Sequence, residues 1–486
     1  MAPKRSLPWT TKAGYGSAEL GLVAVEVLVQ VYLLKFYNVV VGLPSALAGL
    51  ALSVAILWDA VTDPVMGGIS DRTRTPWGKR RPYFVPGALA ACVFFVALFH
   101  PPVFKSNTFA FFYLLIGFVS LNTSLTVVSV PHVSLAGEMA FDRDQRTALF
   151  GYRRLFATLG LVLGTVLPAL ILRSLGGEET AENVARSRST TALLLCAPIL
   201  LTAFWAFAAT RGRDEPSHES GARFADIVRN LGRLFLSQKD VWTNKVFFPL
   251  LLSAIIAGAA RTLNGSIALY YYQFRLELPE DIVVLAVLLP FFLCLLASIP
   301  LWVWISRHKG KKWPAFWGVL GLALLTVFTY PFFPPGSIVG PVCIAIVGGF
   351  CAGSVVILDS LIPDAIDYDE LRTGRDREGL YFGVWKLGTK ISRALGLAFA
   401  GVVLQLIGFD EGRMTQDPEV GWRLALLFGP AVGVFFALAA IVFACFPLTD
   451  GTHRRIQRIL ERRRLRAKPS AHLQEPEADH PRGSGP

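Results

Sequence analysis

Two aspartates interrupt a strongly apolar stretch, in the sequence WDAVTDP (58–64). Asp59 and Asp63 are four residues apart, so a helix would place both carboxylates on one face, one turn apart. Each carboxylate inside a membrane costs about 2.5–3.5 kcal/mol on insertion scales, and adjacent like charges repel unless a cation or a proton lies between them. The pair therefore predicts a binding site for Na⁺ or H⁺. The alternative is that both residues lie near the membrane surface and pair with loop arginines.

A lysine interrupts a second apolar stretch, GLYFGVWKLGTKISRALGLAFAGVV (379–403). Lys390 lies well inside this stretch, and a buried lysine requires a carboxylate partner, which Asp59 or Asp63 could supply. Lys386 lies one turn earlier, where snorkelling to the membrane surface would account for it.

Other charged residues inside apolar segments have either a functional or a structural interpretation. Glu19 and Glu26 fall in the first apolar segment, where either could bind a ligand or lie near a helix end. Arg261 and Asp359 fall in two later segments, and the two interpretations have equal weight for each. The three tyrosines at 270–272 are interpreted as an aromatic belt at the membrane interface.

The composition places these residues in an integral membrane protein. The chain has 486 residues, of which 53% are hydrophobic and only 17% charged, whereas soluble domains have about 25% charged residues. The net charge of +12 comes from basic residues scattered between apolar segments, which argues against a nucleic-acid surface and fits basic cytoplasmic loops. No nucleophile elbow, phosphate-binding loop or H-E-x-x-H zinc motif occurs, so we expect neither an enzyme nor a cofactor.

Twelve segments are long and apolar enough to cross a membrane as helices, which requires about 20 residues each. Basic clusters follow the second, fourth, eighth and twelfth segments, so these loops and both termini are predicted to be cytoplasmic. The basic start of the chain precedes the first span and is not interpreted as a signal peptide. The sequence thus predicts an all-α membrane protein with spans at 13–36, 44–69, 83–103, 108–132, 151–173, 190–210, 245–272, 283–305, 314–334, 337–362, 380–408 and 421–447.

The longest internal polar stretch divides these spans into six and six. We therefore predict an N-terminal half (1–210), a cytoplasmic middle loop (211–244), a C-terminal half (245–447) and a basic, disordered cytoplasmic tail (448–486).

Three motifs carry a resemblance to a known family. The sequence WDAVTDPVMGGISDRTRTPWGKRRPY (58–83) resembles the signature of the glycoside–pentoside–hexuronide:cation symporters, the melibiose carrier group within the major facilitator superfamily. The segments PDAIDYDELRTGRDREG (363–379) and KAGYGSAELG (12–21) also resemble this family, and the resemblance extends over residues 10–450. It implies a cation-coupled symporter of the cell membrane with two six-helix halves, which moves a small molecule by alternating access. We expect the chain to act as a monomer.

The resemblance also implies roles for individual residues. In the family, two aspartates of span two and a hydroxyl residue of span four hold the coupling cation, and these correspond to the WDAVTDP pair and Thr126. A span-eleven lysine beside the cation site corresponds to Lys390. A span-five arginine that is important for sugar transport corresponds to Arg154 or Arg153, and the spacing leaves both open.

The sugar-binding part of the resemblance is incomplete. The melibiose carriers bind sugar hydroxyls with an aspartate in span one and another in span four, but these positions hold Val23 and Ser129 here. Val133 replaces the tryptophan that follows the second aspartate. Glu26, one turn beyond Val23, is a candidate substitute. Ser129, Asp359 and the span-five arginines complete the candidate substrate site.

The predicted substrate is therefore a sugar or a glycoside other than melibiose. The animal lysophospholipid carriers also resemble this family and keep the aspartates and the lysine without the sugar pair, so a lysophospholipid or another amphiphile is an alternative. An alternative from another class is a receptor or regulator that keeps a transporter scaffold without transporting.

Charged residues after span two are predicted to hold the cytoplasmic side closed in one state, by salt bridges that break in the other. These residues are Asp71, Arg72, Lys79, Arg80 and Arg81.

Overall fold

The structure, a computed structural model, describes residues 7–139, 143–214, 239–375 and 377–467. These residues form helices and connecting loops, and twelve of the helices are long and apolar enough to cross a membrane. The predicted all-α fold and the predicted number of spans are therefore confirmed. The helices are α1 (Trp9–Leu33), α2 (Ser45–Arg72), α3 (Arg81–Phe99), α4 (Asn107–Met139), α5 (Gln145–Ser174), α6 (Ala181–Ala209), α7 (Phe247–Arg275), α8 (Glu280–Lys309), α9 (Lys312–Phe332), α10 (Val339–Thr373), α11 (Glu378–Leu406) and α12 (Pro418–Ala444), followed by α13 (Asp450–Ala467).

Most helix ends differ from the predicted spans by only a few residues. The larger differences include α6, which begins at Ala181 instead of 190, and α10, which continues to Thr373 instead of 362. Both extensions are polar. The extension of α6 continues the same helix, and that of α10 is a separate helical segment at its end; neither has the apolar residues from which a span is recognised in sequence.

Successive spans alternate in direction, so their ends fall on two faces of the molecule. We call the face that contains the start of α1 and the helix α13 the termini face. The other face, which contains the loops α1–α2, α5–α6 and α7–α8, is the far face. The loops that the sequence predicts to be cytoplasmic lie on the termini face.

The two halves share an apolar core on the far face and have separate cores on the termini face. The largest cluster of buried residues combines Phe36 of the first half with Tyr270 and Phe428 of the second half. Of the buried residues that the structure describes, those clustered around Tyr381 on the termini side include none from the first half, and those clustered around Phe84 include none from the second half. Among the described residues, the halves are thus sealed together on the far face and open toward the termini face.

Two glycines allow a close approach of α2 and α11 near the far face. A methyl group on Gly49 would lie 2.9 Å from the Cα of Gly401, and one on Gly401 would clash with the carbonyl oxygen of Ser45. A larger side chain at either glycine would therefore push the helices apart. The hydroxyl of Ser53 adds a hydrogen bond of 2.8 Å to the carbonyl oxygen of Ala394 across the same contact.

Helix α10 is interrupted twice. Its helical segments are Val339–Ala352, Val355–Asp359 and Ile362–Thr373. Pro363 lies in the first turn of the last segment. Because proline has no backbone N–H to donate and disfavours a helical residue before it, the helix cannot run regularly through this point. The interruption places Asp359 at a helix end inside the span.

The prediction that the tail, 448–486, is disordered is wrong for its first part, because Asp450–Ala467 forms α13. Ile456 and Leu460, one turn apart, are buried in the apolar cluster of the second half on the termini face, and α13 packs on the last segment of α10. The pattern is that of an amphipathic helix with basic residues on its other face. The rest of the tail, 468–486, and residues 215–238 of the middle loop lie outside the described residues.

Candidate functional site at the middle of the membrane helices

The carboxylates of α2 and a lysine of α11 meet at the middle of their helices. Lys390 Nζ lies 2.9 Å from Asp59 Oδ2 and 2.8 Å from Asp63 Oδ2. It also donates a hydrogen bond of 2.7 Å to the backbone carbonyl oxygen of Asp59. Asp59 is at the centre of the 28-residue helix α2, so the structure places it away from either membrane surface.

Thr126 of α4 lies on the other side of the two carboxylates. Its Oγ1 is 2.7 Å from Asp59 Oδ1 and 3.1 Å from Asp63 Oδ1. A hydroxyl oxygen can donate a proton to a carboxylate or offer a lone pair to a cation. Two carboxylates and a hydroxyl are the kind of oxygen ligands that hard cations prefer. Ser129, one turn further along α4, is half-buried and lies outside this group.

Lys386 adds a second ammonium group to the site. Its Nζ lies 2.6 Å from Asp63 Oδ2, and its side chain is 62% exposed, whereas that of Lys390 is 12% exposed. Helices α2 and α11 are antiparallel. Lys386 and Lys390, four residues apart on α11, therefore lie opposite Asp63 and Asp59, which are four residues apart on α2. We call Asp59, Asp63, Thr126, Lys386 and Lys390 the midplane cluster.

A second polar group joins α1, α4 and α5 within the first half. Arg153 donates hydrogen bonds to Glu19 Oε1 from Nε, at 2.8 Å, and from Nη2. His132 Nδ1 lies 3.5 Å from the same oxygen, and the His132 ring stacks on Tyr15 with 4.4 Å between the ring centroids. Of the two candidate arginines of span five, the structure therefore brings Arg153 to span one, while Arg154 is exposed.

Charged residues from both halves line a space beside the midplane cluster. Glu26 Oε1 of α1 lies 2.6 Å from Arg393 Nη1 of α11, and both side chains are exposed. Arg261 of α7 is also exposed and interacts electrostatically with Asp359 and Arg393. Asp359 accepts a hydrogen bond of 3.2 Å from Trp385 Nε1. Exposed charges inside spans that contact other helices face water rather than lipid, so a water-accessible space lies between the halves.

Within the part of the chain that the structure describes, the charged loop after α2 does not join the halves. Arg80 lies 2.8 Å from Asp71 and 2.8 Å from Glu138, and Lys79 lies 2.9 Å from Glu138. Arg81 donates to carbonyl oxygens of α6 and of the loop itself. All these partners belong to the first half, in agreement with the separation of the halves on the termini face.

A buried ionic group joins the halves on the far face, and the sequence did not reveal it. Lys35, just after α1, lies 3.2 Å from Glu280 Oε2 at the start of α8, and Arg188 of α6 pairs with Glu280 Oε1. These side chains are only 6%, 1% and 2% exposed, respectively. The Arg188 guanidinium also lies 4.3 Å from the centroid of the Tyr32 ring. The lysine inside the apolar sequence VYLLKFYNVV was the signal that could have indicated this group.

Glu179, in the loop between α5 and α6, completes this far-face cluster of Lys35, Glu179, Arg188 and Glu280. Its carboxylate accepts a hydrogen bond from the backbone N–H of Glu280. Burial raises the pKa of Glu179, and the Glu280 carboxylate acts in the same direction, while Lys35, Arg188 and the hydrogen bond oppose them. The neutral carboxyl form of Glu179 is therefore more favoured here than in water.

The tyrosines at 270–272 are not an interfacial belt, and that prediction is wrong. All three are buried in the core that the two halves share. The Tyr270 hydroxyl donates a hydrogen bond of 2.5 Å to Asn38 Oδ1 across the halves, and the Tyr271 hydroxyl donates one of 2.7 Å to the carbonyl oxygen of Tyr330. The tyrosines thus help to seal the far face.

The sequence pattern of the MFS/sugar transport protein family matches residues 14–450. The chain belongs to this family. It is 27% identical to the inner membrane symporter YicJ of Escherichia coli, over 89% of this chain and 90% of that protein. It is 26% identical to the uncharacterized symporter sll1374 of Synechocystis, over 94% of this chain and 97% of that protein. The predicted membership of the glycoside–pentoside–hexuronide group is confirmed, and the chain is a multi-pass membrane protein of the major facilitator superfamily.

A relative of a different kind is the sphingosine-1-phosphate transporter MFSD2B of Xenopus tropicalis, which is 23% identical over 90% of this chain and 88% of that protein. Among solved structures, the chain is similar to a bacterial homolog of the human lysosomal transporter Spinster in an inward-facing conformation. The TM-score is 0.67, with 14% identity over 91% of this chain and 97% of that chain. This likeness shows the fold alone.

Proposed function

We propose that the protein is a cation-coupled symporter, which takes up a sugar or a glycoside by alternating access with Na⁺ or H⁺ as the coupling ion. The observation that carries this proposal is the origin of the charges in the midplane cluster. Its carboxylates and hydroxyl come from the first half of the protein, and its ammonium groups come from the second half. The relatives that are named symporters support the same conclusion.

The cluster can link cation binding to the position of the two halves. Lys390 attracts the carboxylates of Asp59 and Asp63 across the contact of α2 and α11. A free cation or a proton on these carboxylates competes with Lys390 and removes part of this attraction between the halves. A substrate that binds more tightly in the same state then strengthens cation binding, because the linkage is reciprocal.

Polar groups suitable for a sugar lie beside the cluster. Glu26, Arg261, Asp359 and Arg393 present carboxylate acceptors and guanidinium donors to the water-accessible space between the halves. Paired acceptors and donors of this kind can bind neighbouring hydroxyl groups. Four charged side chains in this space support a hydroxyl-rich substrate over an amphiphile, whose chain requires an apolar wall.

The test is uptake into proteoliposomes under an imposed Na⁺ gradient or an imposed pH gradient, in separate experiments. The substrates are a panel of sugars and glycosides, a lysophospholipid and sphingosine-1-phosphate. We expect gradient-stimulated uptake of a sugar or a glycoside, which Asp59→Asn and Lys390→Ala reduce and Asp410→Asn, at an exposed far-face position, does not. Uptake that ignores both gradients and persists in Asp59→Asn would contradict symport. Uptake of the amphiphiles alone would support the lysophospholipid alternative, and no uptake of any compound would support a receptor.

A further inference from the structure

We infer that Lys386 is a selectivity residue, which excludes Na⁺ from the midplane cluster by occupying the carboxylates as a tethered cation. The inference rests on the proposed function, since it concerns which ion the coupling site accepts. The observation that carries it is the contact of 2.6 Å between Lys386 Nζ and Asp63 Oδ2, in a cluster that already contains another lysine.

The charges of the cluster cancel without a free ion. Asp59 and Asp63 contribute two negative charges, and Lys386 and Lys390 contribute two positive charges. An added Na⁺ ion would leave an uncompensated positive charge between helices, where unpaired charges are poorly solvated. With Lys390 as the only ammonium group, the same cluster would carry one negative charge, and a single Na⁺ ion would neutralise it.

The carboxylate oxygens are also engaged. Asp59 Oδ1 and Asp63 Oδ1 face the Thr126 hydroxyl, and Asp59 Oδ2 faces Lys390. Asp63 Oδ2 faces both ammonium groups. Because a carboxylate oxygen accepts in about two lone-pair directions, this oxygen is fully used. A Na⁺ ion can therefore bind Asp63 Oδ2 only if one of the two lysines leaves it.

The two lysines have different roles in this arrangement. Lys390 is largely buried, contacts both carboxylates and binds the backbone of α2, so it belongs to the contact between the halves. Lys386 is largely exposed, and within the described residues its ammonium group pairs with Asp63 and not with Asp59. Packing does not hold Lys386 in place, so it excludes Na⁺ by its charge and by its high local concentration rather than by filling space. Removing the charge alone therefore tests its role.

The first experiment measures Na⁺ binding by purified protein in detergent, through the rise in melting temperature that any ligand of the folded state produces. NaCl is increased while choline chloride keeps the ionic strength constant. We expect Lys386→Met to show a saturable, Na⁺-specific rise, with an apparent Na⁺ affinity at least about tenfold higher than that of the wild type. Lys386→Arg, which keeps the charge, and Lys309→Met, which removes an exposed lysine at the end of α8, should behave as the wild type.

The second experiment measures uptake in proteoliposomes. Replacing Na⁺ by choline should leave wild-type uptake unchanged, while uptake by Lys386→Met should become dependent on Na⁺. If Lys386→Met does not fold, Lys386→Gln takes its place. A wild type that binds Na⁺ as tightly as the neutral variant, or a neutral variant that gains no Na⁺ binding, would overturn the inference.

Failure of the proposed function would give a different result. In that case, neither the wild type nor the variants would take up any sugar or glycoside under either gradient. The comparison of Na⁺ binding in detergent would still decide the role of Lys386, because it does not depend on transport.

Discussion

The far-face cluster and the midplane cluster both pair cations with carboxylates across the two halves, but they differ in their access to water. Lys35, Arg188 and Glu280 are almost completely buried, whereas Lys386 is exposed and Asp59 is partly accessible. A buried charge depends strongly on its partner, while an accessible one can be hydrated when the partner leaves. The far-face cluster is therefore suited to sealing the halves together, and the midplane cluster to exchanging one cation for another.

The largest effect is expected from the carboxylate that the far-face cations share. In Glu280→Gln, Lys35 and Arg188 would keep their charges in a buried site with only Glu179 to compensate, so we expect a loss of about 3–5 kcal/mol in stability. Thermal unfolding at neutral pH measures this loss. Glu182→Gln, which removes an exposed i,i+4 ion pair, is the control and should change the stability by no more than about 0.5 kcal/mol. Equal melting temperatures for the two variants would show that the seal does not depend on the buried charge.

The midplane cluster should show the opposite balance between stability and transport. Asp59→Asn keeps the shape of the side chain but removes a charge that water can reach, so we expect a small change in melting temperature. Gradient-driven uptake should fall by about 5- to 150-fold, which is the change in affinity that corresponds to typical coupling free energies between two sites. Asp410→Asn is the control for uptake. A variant of Asp59 that melts much earlier yet keeps its gradient-driven uptake would remove the distinction between the clusters.

A smaller effect is expected when only the hydroxyl of the midplane cluster is removed. Thr126→Val keeps the volume of the side chain and loses one hydrogen-bonding group, which contributes about 0.5–1.5 kcal/mol. The concentration of coupling cation needed for half-maximal uptake should therefore rise roughly 2- to 12-fold. Thr202→Val, which removes a hydroxyl that bonds to its own helix, should leave that concentration unchanged. The same change in both variants would assign the effect to helix packing rather than to the cluster.

The smallest effect concerns the pH dependence of the far-face cluster. A raised pKa means that folded Glu179 retains its proton at pH values where the unfolded chain has lost it, starting near the ordinary value of 4.5. The stability that this proton contributes is complete below the ordinary pKa and is lost as the pH rises through the raised pKa. The side chain in Glu179→Gln cannot ionise. At low pH this variant should have the same melting temperature as the wild type, and at higher pH it should have a higher melting temperature than the wild type. If the melting temperatures of the wild type and Glu179→Gln differed by the same amount at every pH, that result would contradict burial as the cause of the raised pKa of Glu179.

The sequence singled out Asp59, Asp63 and Lys390 of the midplane cluster and missed the far-face residues for a physical reason. Asp59 and Lys390 lie well inside apolar segments, where a charge is costly wherever the helix packs. Arg188 and Glu280 lie near helix ends, where a charge is ordinarily hydrated, and they are buried only because the two halves meet there. That meeting depends on contacts between distant segments, which the local pattern of polar and apolar residues does not contain.

The rotation of each helix was equally inaccessible from the sequence. Arg153 and Arg154 are adjacent, so their side chains point about 100° apart on a helix, and only the packing of α1 on α5 directs Arg153 to Glu19. The same holds for Lys386, for which snorkelling was an adequate explanation until the facing residue of α2 was known. The number of spans needed no such information, because it follows from length and hydropathy alone.

The contact of Gly49 with Gly401 is a pivot about which α2 and α11 can rotate relative to each other. Asp59 lies ten residues from Gly49 along α2, an arm of about 15 Å at 1.5 Å per residue. A rotation of about 15° about this pivot, similar to known rigid-body rotations, would move Asp59 by roughly 4 Å and separate Lys390 from the carboxylates. In the proposed mechanism, a change of charge at Asp59 would therefore turn one half of the protein relative to the other about the contact of Gly49 with Gly401.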